Sequence, residues 1–107
     1  METLNYRFEG GQRPLSGMPQ LVGVVGSGNL EILIEPAHLK GACEIEVRTA
    51  AVGFGATWQV VMADFHARWS LADARVSVND MGATPAVVSL RLDQAVESIA
   101  ALPGGAP

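Results

Sequence analysis

Apolar and polar positions alternate along several stretches of this chain. Leu30, Ile32 and Ile34 fall on one side of a period-two run, with Glu31, Leu33 and Glu35 on the other. Cys43, Ile45, Val47 and Thr49 likewise oppose Glu44, Glu46 and Arg48, and the segment Ala74 to Asp80 repeats the pattern through Val76 and Val78. A period of two is the repeat of a pleated strand with one dry face. Leu4, Tyr6 and Phe8 against Asn5 and Arg7 predict a further short strand. The apolar, β-branched run Leu21 to Val25 predicts another, leading straight into Gly26. Gly10 to Pro14 breaks regular structure between these two. Pro36 ends the run that starts at Leu30, because proline cannot donate to a ladder. The short loop from Pro36 to Gly41 predicts that the strands flanking it pair as an antiparallel hairpin.

The period changes after Gly53-Phe54-Gly55. Trp58, Val61, Met62, Phe65 and Trp69 recur at intervals of three and four, with Asp64 and Arg68 away from the stripe. That is one face of an amphipathic helix of about four turns. Near the end, Thr84 is placed to cap a helix whose first residue is Pro85, where a missing N–H does no harm. This second helix is expected from Pro85 to about Ala101, with Val88, Leu92, Ala95, Val96 and Ile99 facing inward. Val87 to Leu92 also alternates, so a strand is the competing reading there. The tail Leu102 to Pro107 is expected to be mobile. The order of elements predicts an α+β fold: a two-layer sandwich, mainly antiparallel β-sheet, with about two helices packed on one face.

Composition narrows the class. At 107 residues the chain is expected to form a single domain, 1–107, burying roughly two-thirds of its unfolded surface. About half of its residues are hydrophobic and 17% are charged, the balance of a folded chain. Seven Lys plus Arg against eleven Asp plus Glu give a net charge of -4, and the positive residues are scattered singly. Nothing resembles the basic stripe that pairs with nucleic-acid phosphates. One cysteine, Cys43, permits no internal disulfide, and no run of 18 apolar residues occurs; a cytoplasmic protein without membrane association is expected.

Catalysis needs convergent groups, and few are on offer. His38 lies in the loop after Pro36 and His66 on the first helix, neither with companions that would commit it to a metal or a triad. Cys43 sits on a dry strand face, where a thiol behaves as a small hydrophobe. Glu31, Glu35, Glu44 and Glu46 would line the wet face of the hairpin. Trp58, Phe65 and Trp69 read as core from their helical spacing. No catalytic residue and no metal ligand is therefore assigned.

Gly26-Ser27-Gly28 is the exception. Its glycines are reminiscent of a dinucleotide-binding turn, but that fingerprint requires a helix next, and Leu30 to Ile34 alternates like a strand. A hairpin turn rich in Gly, Ser and Asn is one reading. Another is an attachment point, since two flanking residues without Cβ leave a serine hydroxyl accessible.

Val24 to Glu31, taken with Asn79-Asp80-Met81-Gly82-Ala83-Thr84-Pro85, resembles the acyl carrier (delta) subunits of malonate decarboxylase, and more distantly the citrate lyase acyl carrier (gamma) subunits. The resemblance spans most of the chain, the Trp58 helix included. It implies a carrier in which Ser27, flanked by Gly26 and Gly28, holds 2'-(5''-phosphoribosyl)-3'-dephospho-CoA through a phosphodiester. The arm's thiol would carry acetyl and malonyl thioesters between a transferase (alpha) subunit and a decarboxylase pair (beta and gamma), after loading by a prosthetic-group transferase. Malonate would become acetate and CO2, with the carrier itself non-catalytic. Asn29 departs from the aspartate expected in many relatives, which removes a carboxylate beside the attachment point. The alternative function is an interaction subunit without a prosthetic group, docking through the Trp58 helix or a sheet edge.

Overall fold

In the computed structural model the described residues are 1–14, 23–27 and 29–100, with 23–27 and 98–100 described through their backbone. The chain runs β1 (Glu2–Phe8), β2 (Arg13–Pro14), β3 (Gly23–Ser27), β4 (Leu30–Pro36), β5 (Cys43–Thr49), α1 (Gly55–Trp69), β6 (Leu71–Ala72), β7 (Ala74–Asp80) and α2 (Pro85–Ala100). Five strands form one sheet in the order β1-β5-β7-β4-β3. All its pairs are antiparallel except β5 with β7. Both helices cover the same face, and the architecture is the α+β two-layer sandwich expected.

Each period-two run places its apolar set toward the helices. Leu30, Ile32 and Ile34 of β4, Ile45 and Val47 of β5, and Val76 and Val78 of β7 are all buried. They meet Trp58, Val61, Met62 and Phe65 of α1 and Val88, Leu92, Ala95 and Val96 of α2 in one core. The predicted α2 forms as a helix throughout, which settles the ambiguity at Val87 to Leu92. Thr84 caps it as expected: its Oγ1 accepts a hydrogen bond from the Val87 N–H at 3.3 Å. Ile99 falls where only backbone is described, and the tail 102–107 and Leu21-Val22 of the strand predicted from Leu21 to Val25 lie outside the described residues.

One pairing differs from the sequence expectation. β4 and β5 are not a hairpin, because β7 lies between them, antiparallel to β4 and parallel to β5. The parallel pair has the long helical crossover it requires, through α1. Asp73, just before β7, holds the displaced connection: its Oδ1 accepts from the N–H groups of Leu39 at 3.1 Å and Gly41 at 3.0 Å. Its carbonyl accepts from Ala37 at 2.9 Å. Asp73 adopts φ 52, a left-handed conformation that Asp and Asn tolerate better than Ala. Asp73→Ala is therefore expected to lose about 2 kcal/mol in urea unfolding, and Asp73→Asn markedly less.

Gly10 to Pro14 is also more ordered than predicted. Arg13 and Pro14 pair in parallel with Leu71 and Ala72. A Cβ on Gly11 would stand 2.2 Å from the Leu71 carbonyl oxygen, so this approach needs glycine.

Inserting β7 also dissolves the continuous acidic face. Glu31 lies opposite Asn79, Glu35 and Glu44 opposite Arg75, and Glu46 opposite Ser77. Arg75 Nη2 approaches Glu44 at 3.6 Å, Arg7 also pairs with Glu44, and Arg48 binds Glu46 at 3.0 Å. These carboxylates belong to a solvated, charge-balanced sheet surface.

Candidate functional site

The backbone around Ser27 is set by strand register. Gly26 pairs with Glu31 and Ser27 with Leu30, so Gly28 and Asn29 alone join β3 to β4; Gly28 lies outside the described residues. A strand follows the glycines, and the helix that a dinucleotide fingerprint needs is absent from β4. Among the described residues β3 is the last strand of its sheet, which puts Ser27 at a corner: the end of an edge strand, before the two-residue connection to β4.

Following the register inward, Ser27 pairs with Leu30, Leu30 with Asp80, Asp80 with Thr49 and Thr49 with Glu2. This row is the end of the sheet nearest the start of α2. Asp80 and Thr49 are its buried polar pair. The Thr49 hydroxyl donates to Asp80 Oδ2 at 2.8 Å, while the Gly82 and Ala83 N–H groups donate to Asp80 Oδ1 at 3.1 and 2.7 Å. Beyond it, the Met81 N–H donates to the Asn29 carbonyl at 2.9 Å. One buried carboxylate thus shapes the 81–84 segment, and that segment holds the β3–β4 turn.

Beside Asp80 lies a cavity of about 250 Å³ between the β5–α1 connection and the start of α2. Buried Trp58, Val61 and Val88 line it, together with the more exposed Ala51, Phe54 and Ala83, which mark its rim. Phe54 is 54% exposed although aromatic, and Met81 close by in sequence to Ala83 is 60% exposed. The alternation carried a signal for this end of the sheet, because Asp80 and Thr49 occupy inward positions otherwise filled by apolar residues. The cavity had none, since its walls come from segments far apart in the chain.

The other candidates stay apart from this corner. His38 is exposed in the 37–42 loop, and His66 stacks on Phe8 with ring centroids 4.9 Å apart. Trp58 and Phe65 are core, and Trp69 is half-buried with its Nε1–H donating to Asp93 at 2.8 Å. Among the described residues, no group of three or more His, Cys, Asp or Glu is placed to hold a metal ion, and no helix is long and apolar enough to cross a membrane.

Cys43 is fully buried, and burial, aided by the nearby Glu44 charge, pushes its thiol up to about 12. The thiol is therefore inert as a nucleophile near neutral pH. A thiol reagent at pH 8 is expected to leave the folded chain unlabelled and to react with one cysteine in guanidinium. Between about pH 8.5 and 12 the unfolded chain gives up this proton while the folded chain keeps it. Stability should consequently fall with rising pH, by up to ~1.4 kcal/mol per unit from this group. Urea titrations at successive pH values, compared with Cys43→Ala, measure that slope.

Residues 18–99 match the family described as ACP: Malonate decarboxylase delta subunit (MdcD). A malonate decarboxylase acyl carrier protein of Xanthomonas euvesicatoria is 62% identical over 98 residues, covering 91% of this chain and 93% of its own. One from Stenotrophomonas maltophilia strain R551-3 is 58% identical across the whole of both chains. Among solved structures, a chain of a Pseudomonas malonate decarboxylase hetero-tetramer in complex with malonate superposes with a TM-score of 0.76 at 35% identity, covering 92% of this chain and 99% of that one.

Proposed function

Because the chain belongs to the malonate decarboxylase delta-subunit family and is an acyl carrier protein of that enzyme, we propose that Ser27 is where its acyl-carrying arm is attached. The arm is 2'-(5''-phosphoribosyl)-3'-dephospho-CoA, joined by a phosphodiester to the serine oxygen. Its thiol supplies the thioester chemistry by which acetyl and malonyl groups are carried.

The observation that carries this reading is the corner position. Among the described residues, Ser27 ends an edge strand of the sheet, beside the two-residue connection to β4, and strand pairing takes up one side of its backbone. A large group joined at such a position avoids disrupting a ladder on both sides. The adjacent Gly26 brings no Cβ, and Gly28 on the other side has none either. The chain's own contribution is to fix this corner while the far end of the arm moves. Main-chain pairing of β3 with β4 and the Met81–Asn29 hydrogen bond do so.

On this reading the chain acts as one domain, 1–107, in the cytoplasm. It has no catalytic residue of its own and visits a transferase (alpha) subunit and decarboxylase (beta and gamma) subunits, after a prosthetic-group transferase has loaded it. Tethering serves that circuit because a linked thioester meets each partner at a high effective concentration.

Intact-protein mass spectrometry of the subunit from an active native complex is the test. The expected result is a mass increase equal to the arm, mapped to Ser27 by fragmentation. An unmodified subunit in an active complex would overturn the attachment and leave the interaction-subunit reading.

A further inference from the structure

The cavity beside Asp80 has no part in the attachment itself. It is apolar inside and walled by an indole, and its rim holds a half-exposed phenyl ring, Phe54. At about 250 Å³ it is smaller than the usual site for a drug-sized molecule and suits a single flat ring system. Polar atoms are few. Thr57 and Asp80 line it, and the Asp80 carboxylate, though it accepts three hydrogen bonds, has about four acceptor positions. An aromatic heterocycle carrying an N–H donor therefore fits this lining better than a two- or three-carbon acyl group, which would leave it mostly empty.

Register sets the distance to Ser27. Ser27 and Asp80 occupy one row of the sheet, separated by Leu30, hence by two strand spacings or about 10 Å. Within the proposed arm, the adenine is the ring system joined to the serine through the fewest links, one phosphate and two sugars. The thiol lies further out, beyond the pyrophosphate and the pantetheine.

We propose that this cavity is a purine pocket that seats the adenine of the chain's own arm and leaves the thiol end free to swing. The inference rests on the attachment at Ser27. Seating the base shortens the mobile part of the arm and anchors its root against the 81–84 segment. Tethering supplies the affinity, since a covalently linked ligand reaches millimolar or higher effective concentration, enough to fill a weak pocket.

The test uses the isotope-labelled full chain in two forms: unmodified, made without the prosthetic-group transferase, and modified, recovered from the native complex. In the unmodified form, adenosine 5'-monophosphate is expected to shift the Trp58 indole N–H and the Ala51 and Ala83 amides, saturating in the low-millimolar range, with pantetheine leaving them in place. The modified form should show the same shifts without added nucleotide. Ala51→Leu, which fills the rim, should weaken the nucleotide response at least about tenfold. Phe54→Ala, at an exposed position where folding is not at risk, should weaken it about threefold or more.

A subunit whose mass shows the arm on Ser27 but whose Trp58 and Ala83 signals match the unmodified form would overturn the pocket and leave the attachment standing. Shifts that persist in Ala51→Leu would overturn it as well. Protection of Ala83 that appears only when partner subunits are added, in both forms, would assign the cavity to a partner surface instead. A subunit from an active complex without the arm would overturn both readings together.

Discussion

Ser27→Ala is expected to give a subunit that folds, assembles and does nothing. The substitution removes one oxygen and leaves the main-chain ladder of β3 with β4 intact, because Ser27 pairs with Leu30 through backbone groups. Its unfolding free energy in urea should change by no more than ~0.5 kcal/mol. The consequence for activity is disproportionate. On the proposed attachment, removing the oxygen removes the phosphodiester, and the complex would lose the roughly 10²–10⁴-fold advantage that tethering gives over free partners. Decarboxylation by a complex rebuilt with the variant should therefore fall to background, its subunit mass should match the bare chain, and wild-type subunit should restore turnover. Full activity in the variant complex would remove Ser27 from the mechanism.

Strands β1, β4, β5 and β7 and the two helices were legible because each has one wet face. Leu30-Glu31-Ile32 and Val76-Ser77-Val78 can only alternate as they do if one side packs and the other meets water, and the structure buries those apolar positions. Pairing was less legible. The loop between β4 and β5 is short enough for a hairpin, yet the two strands stand apart with β7 between them. Two facts in the sequence point that way in hindsight. A helix of 15 residues separates β5 from β7, the crossover a parallel pair needs, and Asp73 stands just before β7 to bind the connection. Local alternation identifies a strand but is silent about which neighbour it chooses, since all three strands offer similar β-branched faces.

The site divides in the same way. Ser27 and its glycines announce themselves locally, and the register then places them at the sheet corner. The cavity depends on Ala51, Trp58, Ala83 and Val88 converging from separate elements, which no spacing along the chain encodes. Asp80 lies between these cases. It occupies an inward position in β7, where an unpaired carboxylate would cost several kcal/mol, so its presence implied partners without naming them.

Those partners make Asp80→Ala the substitution with the largest expected effect on stability. It removes the acceptor for the Thr49 hydroxyl and for the Gly82 and Ala83 N–H groups. Thr49 has a fallback, because its hydroxyl also lies 3.5 Å from the Ala51 carbonyl oxygen. The two main-chain donors lose the acceptor that shapes their turn. At about 1–3 kcal/mol for each buried donor stranded, partly offset where water reaches the exposed Gly82, a loss of about 3 kcal/mol is expected. In thermal unfolding that corresponds to a fall of roughly 10–20 °C. Asp80→Asn separates hydrogen bonding from packing. Its carbonyl oxygen still accepts from Gly82 and Ala83, and its amide donates to Thr49 Oγ1, leaving that hydroxyl to turn toward Ala51. The asparagine variant should therefore lose only about 1 kcal/mol. The damage in the alanine variant should also reach Ser27 through a defined route. Once the 81–84 segment loosens, the Met81 N–H no longer holds the Asn29 carbonyl, and the turn after Ser27 loses its brace. Hydrogen exchange at Met81 and Ala83 should accelerate in Asp80→Ala well before global unfolding, and stay slow in Asp80→Asn. Equal exchange in both variants would mean that the carboxylate supports the core alone, and that the sheet corner keeps its shape without it.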